Sequence, residues 1–310
     1  MYLMCKDKKV LDLDNYGILS PELLPGYMHV HGVNKHTFTK WMHLRYSSSS
    51  NTLARKLRGI TFGQGNRQKI NELSYALSLT DCYWLKKEDE NVSFDEVSPY
   101  FNEFWKGSEE YKRQAVPTLY VDGSLPKEWR SKDILFKMGK LSIELEVIEL
   151  CKACGIMSES GRSVENGIEV FNFTTPDIMF ESAAASGRFD EEDFTDIDIV
   201  NEFGVRGAEM LVIDAITGDG DRHAGNFGYL RDSGTGDYLG MAPLYDFDHS
   251  LDSSINDRAD RLVTDMLEAC SAYPDVIKRI SETALVSGNK IFAQRAGLIL
   301  RLLKGSSGSH

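Results

Sequence analysis

The sequence predicts an α+β fold of two lobes, in which a strand-rich part precedes a helix-rich part. Residues 118–121 and 134–136 are short apolar runs separated by turn residues, a pattern typical of a strand, a turn and a strand. Apolar residues recur at helical spacing over 206–217 and again from about 257 to 303. With 310 residues, the chain is long enough for one large domain or for two lobes.

Charge and hydropathy narrow the function classes. The chain carries 35 basic and 47 acidic residues, a net charge of −12, whereas broad binding to nucleic acid or anionic membranes requires a cationic surface. We therefore expect no direct nucleic-acid binding and no membrane partner. The sequence has no run of about 18 or more apolar residues, and its N-terminus lacks the apolar core of a signal peptide. A cytoplasmic location is the default expectation, with secretion as an effector left open.

The pattern along the chain changes at three places. The first 110 residues contain a strand at 10–13 and a helical stretch near 67–79, without chemistry that can be named. A strand pattern over 168–173 ends at Pro176, where we place the boundary between the lobes. The predicted domains are an N-terminal subdomain of unassigned role (1–110), an N-lobe (111–175), a C-lobe (176–304) and a linker or tag remnant (305–310).

A pair of cysteines and a group of histidines are interpreted as structural. Cys151 and Cys154 have the spacing of redox or zinc sites, but no second pair accompanies them and they fall inside an apolar-periodic helix. We expect two small buried side chains. Four histidines near the N-terminus lack the carboxylate or cysteine that would complete a metal-ligand pattern, and we expect them in strands and loops. They are His29, His31, His36 and His43.

One segment carries recognisable chemistry. It reads Gly-Asp-Gly-Asp-Arg-His-Ala-Gly-Asn, so that Asn226 follows Asp221 by five residues, and Asp246 follows Asn226 by twenty. Phosphoryl transfer needs a carboxylate that orients the attacking hydroxyl, with an amide oxygen and a second carboxylate to hold Mg²⁺ on the phosphates. These three side chains meet that requirement. Strands at 229–230 and 238–241 form a predicted hairpin that brings Asn226 and Asp246 together.

A resemblance to a known family rests on the string Asp-Arg-His-x-x-Asn followed by Pro-x-Tyr-Asp. The two motifs resemble those of the HipA-like Ser/Thr kinases of bacteria, including short secreted or phage-associated members. The resemblance implies a protein-kinase-like fold, ATP with Mg²⁺ or Mn²⁺ as cofactors, and a protein substrate of unknown identity. It implies that Asp221 is the catalytic base and that Asn226 and Asp246 ligate the metal. Arg222 is expected to contact a carboxylate or a phosphate, and His223 to hold the loop.

The predicted N-lobe supplies a second set of candidates. Lys137 ends the strand 134–136, where kinases have the lysine that binds the α- and β-phosphates. In the following helix, Glu144 shares a face with the apolar residues at 141, 148 and 151. An acid on an apolar helix face needs a cationic partner, so we expect an ion pair between Lys137 and Glu144.

The resemblance also implies a phosphate-covering loop at the turn 122–124. Gly123 and Ser124 are then the ATP-binding residues of this loop, although one glycine encodes close approach of the backbone to phosphate only weakly. In HipA-like kinases a serine of this loop can be autophosphorylated, and Ser124 is the corresponding candidate here.

Two other functions stay open. Lipid kinases of the phosphatidylinositol type share Gly-Asp-Arg-His-x-x-Asn, but they need a basic membrane-facing surface, and the acidic balance of this chain favours a protein substrate. An alternative of another class is a module that binds a small DNA-binding antitoxin, with weak or lost catalysis. Lost activity usually removes the catalytic aspartate or the lysine, and both are present here.

Overall fold

The computed structural model describes residues 1–45, 75–102, 120–121, 127–138, 142–190, 193–247, 250 and 256–306. In these ranges the strands are β1 (Tyr2–Cys5), β2 (Lys8–Asp12), β3 (Gly17–Ile18), β4 (Tyr83–Lys86), β5 (Tyr120–Val121), β6 (Lys127–Ser131), β7 (Ile134–Met138), β8 (Gly161–Val164), β9 (Gly167–Phe171), β10 (Ile178–Ser182), β11 (Gly228–Asp232) and β12 (Tyr238–Met241). The helices are α1 (Gly26–His31), α2 (Lys35–Leu44), α3 (Phe94–Val97), α4 (Ser142–Ala153), α5 (Asp196–Phe203), α6 (Val205–Thr217), α7 (Asn256–Ala269), α8 (Pro274–Leu285) and α9 (Lys290–Ser306), and Pro21–Leu23 is a short 3₁₀ helix. Among these helices none has the length and apolar character needed to span a membrane.

The chain forms two compact units, each assembled from three stretches. Unit 1 comprises Met1–Lys140, Val164–Phe189 and Gly228–Ala242, and unit 2 comprises Leu141–Ser163, Asp190–Phe227 and Pro243–His310. Unit 1 contains most of the described strands, in antiparallel sheets, and unit 2 contains the helices α4 to α9. The predicted α+β fold class, with a strand-rich and a helical lobe, is therefore confirmed. Residues 174–176, where the sequence suggested a lobe boundary, lie within unit 1.

Unit 1 begins with an antiparallel sheet in the order β3-β2-β1-β4. Strand β2 confirms the strand predicted at 10–13, with pairing that starts two residues earlier. Leu3, Trp41 and Trp84 are each at most 1% exposed and belong to one hydrophobic core. The first third of the chain, for which the sequence indicated no role, thus contributes much of the apolar burial that stabilises unit 1.

The prediction of a helix near residues 67–79 is wrong for the last part of that range, residues 75–79. Residues 75–79 form turns and irregular structure, and residues 67–74 lie outside the described ranges. Tyr75 and Ala76 have φ values of 54° and 51°, in the left-handed region that a right-handed helix does not contain. Apolar periodicity alone did not indicate that these two residues adopt a left-handed backbone conformation.

The position of the four N-terminal histidines also differs from the prediction. All four lie on α1 and α2 rather than in strands or loops, and all four are exposed. Asn34 caps the N-terminus of helix α2: its side chain accepts the N–H of Thr37, while the Thr37 hydroxyl accepts the N–H of Asn34. This reciprocal cap is a helix-start signal that was present in the sequence.

In the second sheet of unit 1, Lys137 lies inside a strand rather than at its end. Strand β7 pairs antiparallel with β6 on one side and with β9 on the other, and Lys137 is opposite Ile168 of β9. Strand β6 lies between β5 and β7 and pairs with both, so the two predicted strands are not neighbours in the sheet. The sequence of β6, Lys-Glu-Trp-Arg-Ser, contains a single apolar residue and so gave no strand signal.

The third sheet has the order β10-β11-β12 and is antiparallel. Strands β11 and β12 confirm the predicted hairpin, with Tyr229 opposite Met241. The hairpin belongs to unit 1, whereas the residues on either side of it, up to Phe227 and from Pro243, belong to unit 2.

Helix α6 forms the centre of unit 2 and confirms the helix predicted at 206–217. Every residue from Gly207 to Thr217 is buried, and α5, α7, α8 and α9 all pack against this helix. Such burial on all sides is expected of a helix that is apolar around most of its circumference. Helices α7, α8 and α9 confirm the helical structure that apolar spacing predicted from about 257 to 303, and α9 continues to Ser306.

The interpretation of the cysteine pair at the end of α4 is confirmed. Cys151 and Cys154 are free thiols with 0% and 6% exposure. Burial raises the pKa of both thiols, which favours the protonated form over the reactive thiolate.

Candidate active site

Helix α6 ends where the catalytic segment begins. Gly218 caps the helix in the left-handed conformation, with φ +73°, and its N–H donates to the carbonyl oxygen of Asp214 at 2.7 Å. Glycine is favoured at such a cap because it has no Cβ to clash. Residues 219–227 then form a loop without regular structure. The helix therefore fixes the start of the loop that carries Asp221 and Asn226.

Arg222 holds this loop against the helix and against the segment that carries Asp246. Its guanidinium donates to both carboxylate oxygens of Asp214, at 2.7 and 2.9 Å. It also donates to the carbonyl oxygen of Asn226 at 3.2 Å and to that of Tyr245 at 3.1 Å. One arginine thus connects the two segments that carry the candidate metal ligands. The sequence left open whether Arg222 contacts a carboxylate or a phosphate, and in the structure it contacts the carboxylate of Asp214.

The Arg222–Asp214 pair is buried and charged. The two side chains are 7% and 4% exposed. Burial opposes the charge of Arg222, but the neighbouring Asp214 raises the arginine pKa above its usual value. Burial raises the pKa of Asp214 to about 6, and the contact with Arg222 limits that rise. A bidentate pair of this kind is rigid, and removing one partner would leave an uncompensated buried charge.

Two aspartates of the loop occupy opposite environments. Asp219 is 1% exposed, and its carboxylate accepts the N–H of Asp221 at 3.1 Å and lies 3.9 Å from Arg222. Burial raises the pKa of Asp219, and Arg222 opposes that shift. Asp221 is exposed. A general base has to reach the proton that it removes, so Asp221 meets this requirement whereas Asp219 braces the loop.

Asn226 is 3% exposed and closes the loop on itself. Its amide nitrogen donates to the carbonyl oxygen of Asp221 at 2.7 Å, and its amide oxygen accepts the N–H of His223 at 3.1 Å. Since an amide oxygen has two lone pairs, it can also ligate a metal. The ring nitrogen Nδ1 of His223 accepts the N–H of Gly225 at 3.0 Å, so this exposed side chain holds the loop.

Asp246 has an unusual backbone conformation for a residue other than glycine. Its φ is +69°, in the left-handed region that aspartate tolerates better than most residues. Its N–H donates to Oε1 of the buried Glu159 at 3.2 Å. The preceding Tyr245 donates its hydroxyl to the carbonyl oxygen of Gly225 at 2.8 Å, a second link between the two segments. Strained residues that are held by their neighbours cluster at functional sites.

The donor chemistry of Asn226 and Asp246 fits Mg²⁺. Both offer oxygen, and Mg²⁺ in phosphate-transferring sites is bound by one or two carboxylates together with substrate phosphates and water. Within the described ranges, no group of three or more His, Cys, Asp or Glu side chains is arranged to hold a metal ion by itself.

The candidate ATP-binding residues are distributed over both units. Lys137, in unit 1, is 2% exposed, and Glu144, in unit 2, is 0% exposed. Glu144 lies with Ile148 and Cys151 on the buried face of α4, as the helical spacing indicated. Buried charges require partners, but the ion pair of Lys137 with Glu144 stays a prediction.

Two further candidates, Gly123 and Ser124, belong to the predicted nucleotide loop. Gly123 and Ser124 are outside the described residues, so their contact with phosphate stays a prediction. Autophosphorylation of Ser124 stays a prediction for the same reason.

Three residues that shape the site had no role predicted from the sequence: Asp214, Tyr245 and Glu159. A signal for Asp214 was available, because it is the only acid in the apolar run Met-Leu-Val-Ile-Asp-Ala-Ile-Thr, the same pattern that singled out Glu144. No local pattern indicates Glu159, since its partner Asp246 is 87 positions away.

Comparisons with known proteins give a similarity at the level of structure. Neither a protein-family model nor a curated protein sequence matches this chain. The structure is similar to the Helicobacter pylori proinflammatory kinase CtkA, with 17% identity over 59% of this chain and 91% of that chain, and a TM-score of 0.39. It is also similar to HipA of the Shewanella oneidensis MR-1 toxin–antitoxin system, solved in complex with HipB and its operator DNA, with 12% identity over 80% of each chain and a TM-score of 0.42.

The first of these neighbours is a kinase, and the second is the HipA protein of a toxin–antitoxin system. The identities are low and both TM-scores are below 0.5. We therefore base the functional proposal on the site residues.

Proposed function

We propose that this chain is an ATP- and Mg²⁺-dependent Ser/Thr protein kinase of the HipA-like type. The observation that carries the proposal is the arrangement around Arg222, which connects the loop of Asp221 and Asn226 to the segment of Asp246. An exposed carboxylate beside two oxygen donors is the set of groups that phosphoryl transfer requires. Alternatives in which the chain only binds a partner do not explain why these three residue types are held together.

In the proposed reaction each residue has a separate task. Asp221 orients the acceptor hydroxyl and accepts its proton. Asn226 and Asp246 hold Mg²⁺, which neutralises charge on the phosphates when bound. Lys137 contacts the α- and β-phosphates. Arg222 takes no part in the transfer itself. It holds the catalytic and metal-binding segments in fixed positions relative to each other.

The test is a phosphorylation assay with a chemically matched control. The purified chain is incubated with labelled ATP, Mg²⁺ and a cell lysate, and phosphosites are mapped. Asp221→Asn serves as the control, because it retains the shape of the side chain and removes its charge. We expect labelled Ser or Thr in one or a few proteins, including this chain itself, with wild type and no labelling with the variant.

The lipid-kinase alternative is tested in the same assay by adding vesicles that contain phosphatidylinositol. Labelled lipid without labelled protein would replace the proposal by that alternative. The expectation of a protein acceptor follows from the net charge of −12, which disfavours approach to an anionic membrane surface.

We also propose a small DNA-binding protein as a regulatory partner. In the neighbouring HipA structure, HipA is in complex with HipB and operator DNA. The acidic balance of this chain makes direct DNA binding unfavourable, so contact with DNA would be made by the partner. Co-purification with the product of an adjacent helix-turn-helix gene tests this, and the absence of complex formation in size-exclusion chromatography would contradict it.

A further inference from the structure

We propose that Glu159 is a positioning residue for the metal ligand Asp246, an inference that rests on the proposed kinase function. Glu159 is outside the catalytic motifs and is 6% exposed. Its Oε1 accepts the backbone N–H of Asp246 at 3.2 Å. A buried carboxylate aimed at the main chain of a metal ligand can fix where that ligand points, as outer-shell partners do in other metal sites.

The contact extends a short piece of parallel pairing within unit 2. The N–H of Leu244 donates to the carbonyl oxygen of Met157 at 3.0 Å, and the N–H of Glu159 donates to the carbonyl oxygen of Leu244 at 2.8 Å. Ser158 and Leu244 form the corresponding parallel bridge. In a regular parallel ladder, the next bond would run from the N–H of Asp246 to the main-chain carbonyl of Glu159. The side chain of Glu159 supplies the acceptor for that N–H instead.

Asp246, whose N–H is accepted by a side chain rather than by a main-chain carbonyl, is also the residue with the strained backbone. Asp246 has φ +69°, a conformation that is disfavoured for residues with a Cβ and persists only where neighbouring groups hold it. The bond from an N–H to an ionised carboxylate is stronger than one to a neutral carbonyl. Glu159 therefore stabilises the backbone conformation from which the Asp246 carboxylate projects, so that the ligand is oriented before the metal arrives.

Glu159 also links the metal ligand to helix α4. The residues from Met157 to Glu159 follow α4, which ends at Ala153 and carries Glu144. The segment after α4 is held to Leu244 by the two main-chain bonds described above. A displacement at the end of α4 would thus reach the segment of Asp246 through the two main-chain bonds to Leu244 and would reach Asp246 itself through the side chain of Glu159.

The test measures Mn²⁺ affinity rather than turnover. Mn²⁺ is titrated by electron paramagnetic resonance into the full chain with saturating ATP, and ATP binding without metal is measured by calorimetry. We expect Glu159→Ala to weaken Mn²⁺ binding by about 10- to 100-fold while metal-free ATP binding stays unchanged. Glu159→Gln retains an oxygen acceptor without the charge, so we expect a loss of about 2- to 10-fold.

Glu209 provides the matched control. It lies in the same unit, is 7% exposed, and pairs with Arg206 and Arg279. Glu209→Ala removes a buried, paired glutamate of similar environment and should lower stability without changing Mn²⁺ affinity. If Glu159→Ala does not fold, Glu159→Gln decides the question, and wild-type affinity in that variant would overturn the proposal.

Three results distinguish the positioning role from the kinase function. Equal weakening in the Glu159 and Glu209 variants would show a purely structural effect and overturn the positioning role. Wild-type Mn²⁺ affinity in Glu159→Ala, with normal Mn²⁺·ATP binding by the unmodified chain, would also overturn it and leave the kinase proposal standing. Failure of the unmodified chain to bind Mn²⁺ with ATP would overturn both.

Discussion

Arg231 in unit 1 and Arg222 in unit 2 are both buried against a carboxylate, yet they hold different parts of the molecule. Arg231 contacts Glu181 at 3.3 Å and otherwise donates to the hydroxyl of Tyr83 and to main-chain carbonyls of unit 1. Arg222 contacts Asp214 at 2.7 Å and otherwise donates to carbonyls of the two segments that carry the candidate metal ligands.

The difference teaches that a buried ion pair does not by itself mark a functional site. Both arginines have a pKa that neighbouring acidic groups raise against the effect of burial, so electrostatics alone does not separate them. What separates them is the exposed carboxylate of Asp221, which lies next to Arg222 in the chain. The same type of network stabilises the fold in unit 1, and in unit 2 it also connects the segments that carry the candidate catalytic residues.

The largest effect is expected when each arginine loses its charge. Arg222→Met and Arg231→Met each leave a buried carboxylate without its partner, so each should lower the free energy of unfolding by about 3–5 kcal/mol. Chemical denaturation checks this. Per folded molecule, Arg231→Met should retain the wild-type transfer rate, whereas Arg222→Met should lose transfer, because the candidate catalytic and metal-binding segments lose the arginine that binds both of them.

Arg222→Lys and Arg231→Lys serve as milder variants where the methionine substitutions prevent folding. Lysine retains the charge but cannot make the bidentate contact or reach several carbonyls at once. If both lysine variants, measured at equal folded fraction, transfer phosphate equally well, the proposed difference between Arg222 and Arg231 is refuted.

A smaller effect is expected at the candidate nucleotide contacts. The proposed contact of Lys137 with the phosphates should be worth about 1.5–3 kcal/mol, so we expect Lys137→Ala to weaken ATP binding by about 10- to 100-fold. Because Glu144 is predicted to pair with Lys137 rather than to contact ATP, Glu144→Ala should weaken ATP binding less. Glu146→Ala, on the exposed face of the same helix, is the matched control and should leave ATP affinity unchanged. Calorimetric titration with ATP measures all three, and an unchanged affinity in Lys137→Ala would refute the assignment.

The smallest effect is expected at the cysteines, where the two units should behave alike. The five thiols are free and buried, and burial raises the pKa of Cys5 in unit 1 and Cys270 in unit 2 to about 12. Thiolates are the reactive form, so we expect almost no labelling by a disulfide reagent in the folded chain and complete labelling after unfolding. Activity should not respond to reductant. Rapid labelling of Cys151 or Cys154 alone would restore a redox role for this pair.

The parts of the molecule that the sequence predicted are those specified by neighbours along the chain. The helix α6 and the hairpin of β11 and β12 follow from periodicity and turn residues, and Asp221 and Asn226 are five positions apart in one motif. Features of this kind can be predicted from the sequence because the residues that act together are close in the chain.

The parts that the sequence did not predict depend on distant or unusual contacts. Strand β6 has one apolar residue and is a strand only because β5 and β7 pair with it. The left-handed backbone of Tyr75 and Ala76 is set by the surrounding fold, and the contact of Glu159 with Asp246 joins residues 87 positions apart. Tertiary context overrides local propensity at these positions.

The measurement that tests the central claim most directly compares Asp221→Asn with Asp246→Asn. Mg²⁺·ATP affinity is measured by calorimetry and phosphate transfer by single-turnover kinetics, with circular dichroism to verify folding. Because Asp221 acts on the acceptor hydroxyl, Asp221→Asn should lower transfer by about 10² to 10⁴-fold with nearly wild-type affinity. Because Asp246 holds the metal, Asp246→Asn should weaken both affinity and transfer. An equal loss of Mg²⁺·ATP affinity in the two variants would contradict the account, since it would make Asp221 a metal ligand or a structural residue rather than the base.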